Sequence, residues 1–194
     1  MRKVPLGTTI AYGMPGLGAG YMYLLMSLYV MKFSTDVLLI APAVMGVIFS
    51  ISRIWDAVSD PIAGYLSDRT TFKFGRRRTW MLISFIPISF GFLAVFSPPE
   101  SMQGQSLDLW MMIAILSFYS AITLLNVPHM ALGAELSEDY HERTRLFGVR
   151  HIGFNLGSIL ALVAMILLCR DERNPDGEFR QFASRCAFST LVCM

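Results

Sequence analysis

The chain reads as an all-α integral membrane protein, and three observations predict this. Hydrophobic residues make up 54% of 194 and charged residues only 15%, and mean hydropathy is +0.52, above that of a soluble domain of ordinary usage. The charges are clustered: five basic residues fall between Arg69 and Arg78, both signs crowd Glu135 to Arg145, and a mixed set occupies Arg170 to Arg185. Between the clusters lie apolar stretches near the roughly 20 residues that a helix needs to cross a bilayer core.

Five such spans are predicted, at about 6–33, 41–66, 80–96, 109–132 and 146–169. The first carries Gly13, Pro15, Gly16, Gly18 and Gly20, which would weaken a soluble helix. In a membrane bundle, small residues permit close helix approach, and neighbours repair the backbone bonding that Pro disrupts. Arg2 and Lys3 precede this run, but it is longer than a signal sequence's apolar region and no small-x-small cleavage site closes it, so a retained helix is expected. The second span holds an arginine and two aspartates in its interior. After the fifth, residues 182–194 are apolar but too short to span, and we expect a sixth helix cut off by the end of the chain.

Orientation is set by Lys and Arg in the short loops. The N-terminus has two. The loop from Ser67 to Thr79 has five, namely Arg69, Lys73, Arg76, Arg77 and Arg78, and the loop after Glu135 has Arg143 and Arg145. These segments are expected on the cytoplasmic side of a cytoplasmic (inner) membrane. On the other side the first connection has only Lys32, and Ser97 to Asp108 has no basic residue. Arg170, Arg173, Arg180 and Arg185 run against the pattern.

A formal net charge of +2, with no basic stripe interleaved with aromatics, argues against nucleic-acid binding. Cys169, Cys186 and Cys193 are odd in number and lack C-x-x-C spacing, so neither a disulfide framework nor a zinc site is expected. No cofactor is expected either.

The second span contains Arg53-Ile54-Trp55-Asp56-Ala57-Val58-Ser59-Asp60-Pro61. Spacing of i, i+4 puts both carboxylates on one helix face, with Arg53 one turn earlier on the same side. Ionised groups at membrane depth are costly and face a cavity, an ion or a partner. An intramembrane sodium or proton site at Asp56 and Asp60 is the expectation. The alternative is that the pair binds Arg53 and Arg150 to hold helices together.

Next come Gly64-Tyr65-Leu66-Ser67-Asp68-Arg69 and then Gly75-Arg76-Arg77-Arg78. Gly64 would let another helix approach. Asp68 sits at a helix C-terminus, where the macrodipole disfavours an unpaired anion, so it wants a basic partner. The basic residues could equally serve to anchor the loop at anionic lipid. Here the chain resembles the major facilitator superfamily, whose loop between the second and third helices has a Gly-x-x-x-Asp-Arg core and then Gly-Arg-Arg. The resemblance implies that Gly64, Asp68, Arg69, Gly75, Arg76 and Arg77 form a gating or conformational loop.

The Arg53 to Pro61 motif, taken with Asn126-Val127-Pro128-His129, Ala134-Glu135-Leu136 and Asp139-Tyr140-His141-Glu142-Arg143, is similar to the glycoside, pentoside and hexuronide cation symporters, the melibiose permease group. The motifs occur in order from the first span to about Cys169. A complete member has twelve helices. The resemblance therefore implies the N-terminal six-helix half of a major facilitator bundle with its sixth helix truncated and its C-terminal half missing.

In that family the second-helix carboxylates hold the coupling ion, sodium, lithium or a proton, which implies Asp56 and Asp60, with Thr123 of the fourth span and Ser59 as further oxygens. A hard cation prefers such ligands. Arg150 matches a family arginine near the sugar site, although a snorkelling interfacial role fits it equally. Asn126 stands where sugar-transporting members have a fourth-helix acid, and the first span lacks their other acid near Gly16. A neutral amide still donates and accepts. Tyr21, Tyr23, Trp55 and Tyr119 are candidates to stack on a solute ring or to pack in the bundle.

These implications add up to a cation-coupled symporter of a sugar-like or other small organic solute, lysophospholipids included, working by alternating access. A magnesium-dependent intramembrane prenyl or phospholipid head-group transferase is the enzyme alternative. Ser52 stands where the first class has Asn, and Phe72 where the second has Asp. A third expectation is a fragment without transport activity. His129, His141 and His151 are scattered in sequence and suggest no constellation.

Overall fold

The computed structural model describes residues 4–70, 75–99 and 101–168. The sixth helix expected at 182–194, the three cysteines and the basic stretch from Arg170 lie outside them. Among the described residues every regular element is helical: α1 (Leu6–Leu24), a π turn (Leu25–Tyr29), α2 (Val30–Asp36), α3 (Pro42–Arg69), α4 (Arg76–Phe96), α5 (Gln105–Leu136) and α6 (Tyr140–Leu168).

The first three elements, of 19, 5 and 7 residues, run on without a break and form one rod about 46 Å long. The π turn widens the ladder locally and shifts the register of α2 relative to α1. The helices α3, α4, α5 and α6 each start before their apolar stretch, or end beyond it, because a helix goes on satisfying its backbone after it leaves hydrocarbon. Pro42 opens α3 at a position where its missing N–H costs nothing. Gly75 caps α4 with φ of +97°, a conformation that glycine adopts without strain.

Among the described residues, three helices are apolar enough to cross a membrane by length and composition alone: α4 from Arg77, α5, and α6 to Ala164. The helix α3 is longer than α4 but carries Arg53, Asp56 and Asp60 in its interior, and the first span is divided by the π turn. Neither difference alters the bundle, since α1 lies along α6 and α5 packs against both α3 and α4. The core gathers Phe33, Phe92, Phe96 and Phe118 with Met22 and Met26, all fully buried.

Glycines set the closest approach. A Cβ at Gly20 would run into the carbonyl oxygen of Phe154, and one at Gly157 into that of Leu17. At Gly16 it would come within 2.7 Å of the Arg150 carbonyl. Such backbone-to-backbone packing is what small residues allow where helices share no hydrophobic driving force. Gly64 differs from its expected role: a Cβ there would meet Val127 Cγ1 at 3.7 Å, an ordinary contact. The closeness expected at α3 is made by α1 and α6 instead.

Candidate functional site

Three polar clusters lie on this frame. The first is on α3. Arg53 Nη1 pairs with Asp56 Oδ2 at 3.4 Å, within a single helix, so the pair does not tie two helices together. Arg53 also lies over the Tyr119 ring of α5, 5.0 Å from its centroid, and donates to the phenol oxygen at 3.4 Å. Tyr119 in turn packs edge-on against Tyr23, centroids 6.2 Å apart.

Asp56 Oδ1 is buried and has no hydrogen-bond partner. Asp60, exposed on the same side of α3, makes no ion pair among the described residues. Ser59 Oγ donates back to the Asp56 carbonyl at 3.3 Å. Pro61 has no N–H, so the Ala57 carbonyl four residues earlier is left without its usual helical donor. Carboxylate and carbonyl oxygens of this kind are the ligands that a hard cation prefers. Thr123 is buried on α5, and no hydrogen bond joins it to either aspartate.

The second cluster joins α1, α5 and α6. Arg150 Nη2 donates to Asn126 Oδ1 at 3.2 Å, and its Nε donates to His129 Nδ1 at 3.4 Å. His129 is buried. Its Nε2 lies 2.8 Å from the Tyr12 carbonyl, while the Tyr12 hydroxyl donates to the His129 carbonyl at 3.1 Å. A carbonyl can only accept, so Nε2 carries the proton and the Nδ1 lone pair faces Arg150. This constellation is absent from the sequence reading of the histidines. His129 finds its partners 117 and 21 positions away along the chain, where no local spacing could signal them.

Tyr119, Thr123 and Asn126 recur at i, i+4 and i+7 and share one face of α5. That stripe runs from Arg53 at one end to Arg150 at the other, about 10 Å along the axis. Trp55 is not part of it. Its indole N–H donates to Ser120 at 2.7 Å, and it borders a groove with Pro87, Ile113 and Ser117. Ser120 lies about 120° round α5 from Asn126. Tyr21 is half-buried at the α1–α6 contact, its backbone nitrogen facing Gly157. A cavity of about 550 Å³ between α1, α4 and α5 has Tyr12 and His129 in its wall and Arg78 and Leu136 among its lining; neither aspartate borders it.

The third cluster is where the charged loop folds back. Arg77 Nη2 meets Asp68 Oδ1 at 3.3 Å and Glu135 Oε1 at 2.9 Å, so the basic partner expected for Asp68 is Arg77. Glu135 joins them as a second carboxylate that helix-end electrostatics alone does not predict. Arg69 instead lies over Tyr65 of its own helix, 5.0 Å from the ring centroid, and donates to the Tyr65 hydroxyl. Gly75 and Arg76 supply the cap and first residue of α4.

A family model described as MFS/sugar transport protein matches residues 11–193. The chain belongs to this family. It is 36% identical to an uncharacterized symporter of Synechocystis over 93% of its own length and 34% of the relative's. It is 33% identical to an inner membrane symporter of Escherichia coli, over 82% of its length and 34% of the relative's. A sodium-dependent lysophosphatidylcholine symporter of Danio rerio is 33% identical over 57% of the chain and 21% of that protein. The chain thus spans about a third of the length of the first two relatives. The MFS/sugar transport family is one of transporters and not of enzymes, which sets the transferase alternative aside, and the chain's apolar helices agree with a multi-pass membrane protein.

Proposed function

We propose that the full-length protein is a cation-coupled symporter, driven by sodium or protons, that carries a sugar-like or other small organic solute by alternating access. This chain supplies the N-terminal half of the bundle, and a C-terminal half closes the cavity. The observation that carries the reading is the state of the two α3 carboxylates: Asp56 has a buried oxygen without a partner, and Asp60 makes no ion pair among the described residues. Charge held at membrane depth in that condition calls for a mobile cation. The names of the relatives, symporters including a sodium-dependent one, support it.

Binding of the cation neutralises the aspartates. Solute then binds on the α5 stripe between Arg53 and Arg150, and the doubly loaded protein favours an occluded state from which it reopens on the other side. Thr123 turns toward the cation in that state, and Asn126 and Arg150 meet the solute. Arg77, clasping Asp68 and Glu135, holds the ends of α3, α4 and α5 together on the side proposed to be cytoplasmic, where the N-terminus also lies.

The test is uptake of a solute panel by the full-length protein in liposomes, with an inward sodium gradient, an inward proton gradient, or neither. Gradient-dependent accumulation of at least one solute is expected. Equal uptake with and without both gradients would exclude coupling.

A further inference from the structure

We propose that the carbonyl oxygen of Ala57 is a ligand to the coupling cation, and that Pro61, by denying this oxygen a helical donor, fits the α3 site to sodium rather than to a proton alone. The proposal rests on the transport reading above and deepens it by naming the residues that select the ion.

Pro61 lies inside α3. In an α-helix the carbonyl of residue 57 points along the axis at the nitrogen of residue 61, and a proline there has no hydrogen to offer. That nitrogen is bonded to the Asp60 carbonyl carbon, so the open oxygen is aimed at the stretch of backbone that bears the Asp60 carboxylate. Ala57, Asp60 and Pro61 are all exposed, and this part of α3 is open rather than packed against a neighbour. A carbonyl left free in a membrane helix can be satisfied by a serine or threonine one turn on, by water or by an adjoining helix. Ser59 makes such a bond, to the Asp56 carbonyl at 3.3 Å. The corresponding positions for Ala57 are Asp60 and Pro61, and neither has a hydroxyl.

Charge decides what completes the site. Arg53 meets Asp56 at 3.4 Å, so Arg53, Asp56 and Asp60 together carry a single negative charge, which one monovalent cation neutralises. A backbone oxygen adds a ligand without adding charge, and so does not tilt the site toward a divalent ion. Sodium is a hard cation and gathers several oxygens at once. A proton bonds to one carboxylate oxygen and requires no further ligand. The Ala57 carbonyl is therefore the part of the site that separates the two ions. Carbonyls released from the helical ladder coordinate coupling ions in other transporter folds.

The experiment uses the full-length protein, with sodium binding read as the sodium-dependent rise in melting temperature and coupling read as gradient-driven uptake in liposomes. Pro61→Ala supplies an N–H to the Ala57 carbonyl, which sodium must then displace. Sodium binding is expected to weaken about tenfold, while proton-driven uptake is not reduced. Pro61→Gly also carries an N–H and should repeat the loss. Replacing Pro61 by the α-hydroxy acid counterpart of alanine separates the two properties of proline, because the resulting ester has neither the ring nor the N–H. Its sodium affinity should stay near that of the unsubstituted protein.

Melting temperatures without sodium report folding in every variant. Unchanged sodium binding in Pro61→Ala overturns the carbonyl's role, and so does an equal loss in the ester, which would trace the effect to the ring. Proton-driven uptake that falls together with sodium binding overturns the selection between ions. Proton-driven uptake by an unsubstituted protein that shows no sodium response overturns the proposal and leaves symport standing. No gradient-driven uptake together with no sodium response overturns both.

Discussion

Arg77 Nη2 stands 2.9 Å from Glu135 Oε1, joining the first turn of α4 to the last turn of α5. The same nitrogen reaches Asp68 at the end of α3, so one guanidinium gathers three helix ends. The arginine side chain is only 13% exposed while Glu135 and Asp68 are 44% and 55% exposed, and water screens much of the attraction. Arg77→Ala is expected to destabilise the protein by about 1 kcal/mol, and Arg77→Lys to recover part of that through one carboxylate. Melting temperatures of the purified variants check it, and an unchanged value for Arg77→Ala would remove the clasp from the fold's support.

The glycines are not equivalent. Gly20→Ala drives a methyl into the Phe154 carbonyl, whereas Gly64→Ala brings one to ordinary contact with Val127. Overpacking against backbone costs about 1–3 kcal/mol, so Gly20→Ala should lower the melting temperature and the folded yield. Gly64→Ala should leave both near the unsubstituted values. The reverse order would contradict the packing described for α1 and α6.

Asp56→Asn and Asp60→Asn are each expected to abolish the sodium- or proton-driven component of uptake, a loss of at least about tenfold. Residual uptake without a gradient should survive, because the α5 stripe proposed to bind the solute is untouched. Ion-driven uptake that persists in the double variant would place the coupling site elsewhere.

Tyr12 and Gly133 form a second stereochemical test, since a Cβ at Gly133 would collide with the Tyr12 hydroxyl. Tyr12→Phe removes the bond to the His129 carbonyl at a cost of about 1 kcal/mol. Gly133→Ala should cost more. In the double variant part of the collision is relieved, so the combined loss should be smaller than the sum. Thermal unfolding of the four proteins measures the coupling, and strict additivity would argue against the contact.

The helices are readable from the sequence because bilayer thickness dictates the length of an apolar run, and polar loops punctuate it. Asp68's need for a basic partner is readable too, since a helix C-terminus disfavours a carboxylate whatever the fold. Which arginine answers, and that Glu135 shares it, depends on how the loop folds back, which no spacing records. The same holds for His129, isolated along the chain, and for Trp55, whose indole is turned to Ser120. Asn126 and Arg150 stand out through a resemblance, and the structure adds that they touch. Gly64 misleads because a glycine in a helix signals permission for close approach, and only the neighbouring helix decides whether it is used.

The contact between Gly20 and Phe154 has a consequence for how the protein is made. At about 5–20 residues per second, the ribosome needs on the order of ten seconds to travel from one to the other. For that interval the glycine face of α1 waits without the helix that packs on it in the finished fold. Its proper companion, α6, is the last of the described helices to be synthesised. Any chaperone or insertase that shelters nascent membrane helices would find its longest task here, and slowing translation between α5 and α6 should extend the time during which α1 is open to proteolysis.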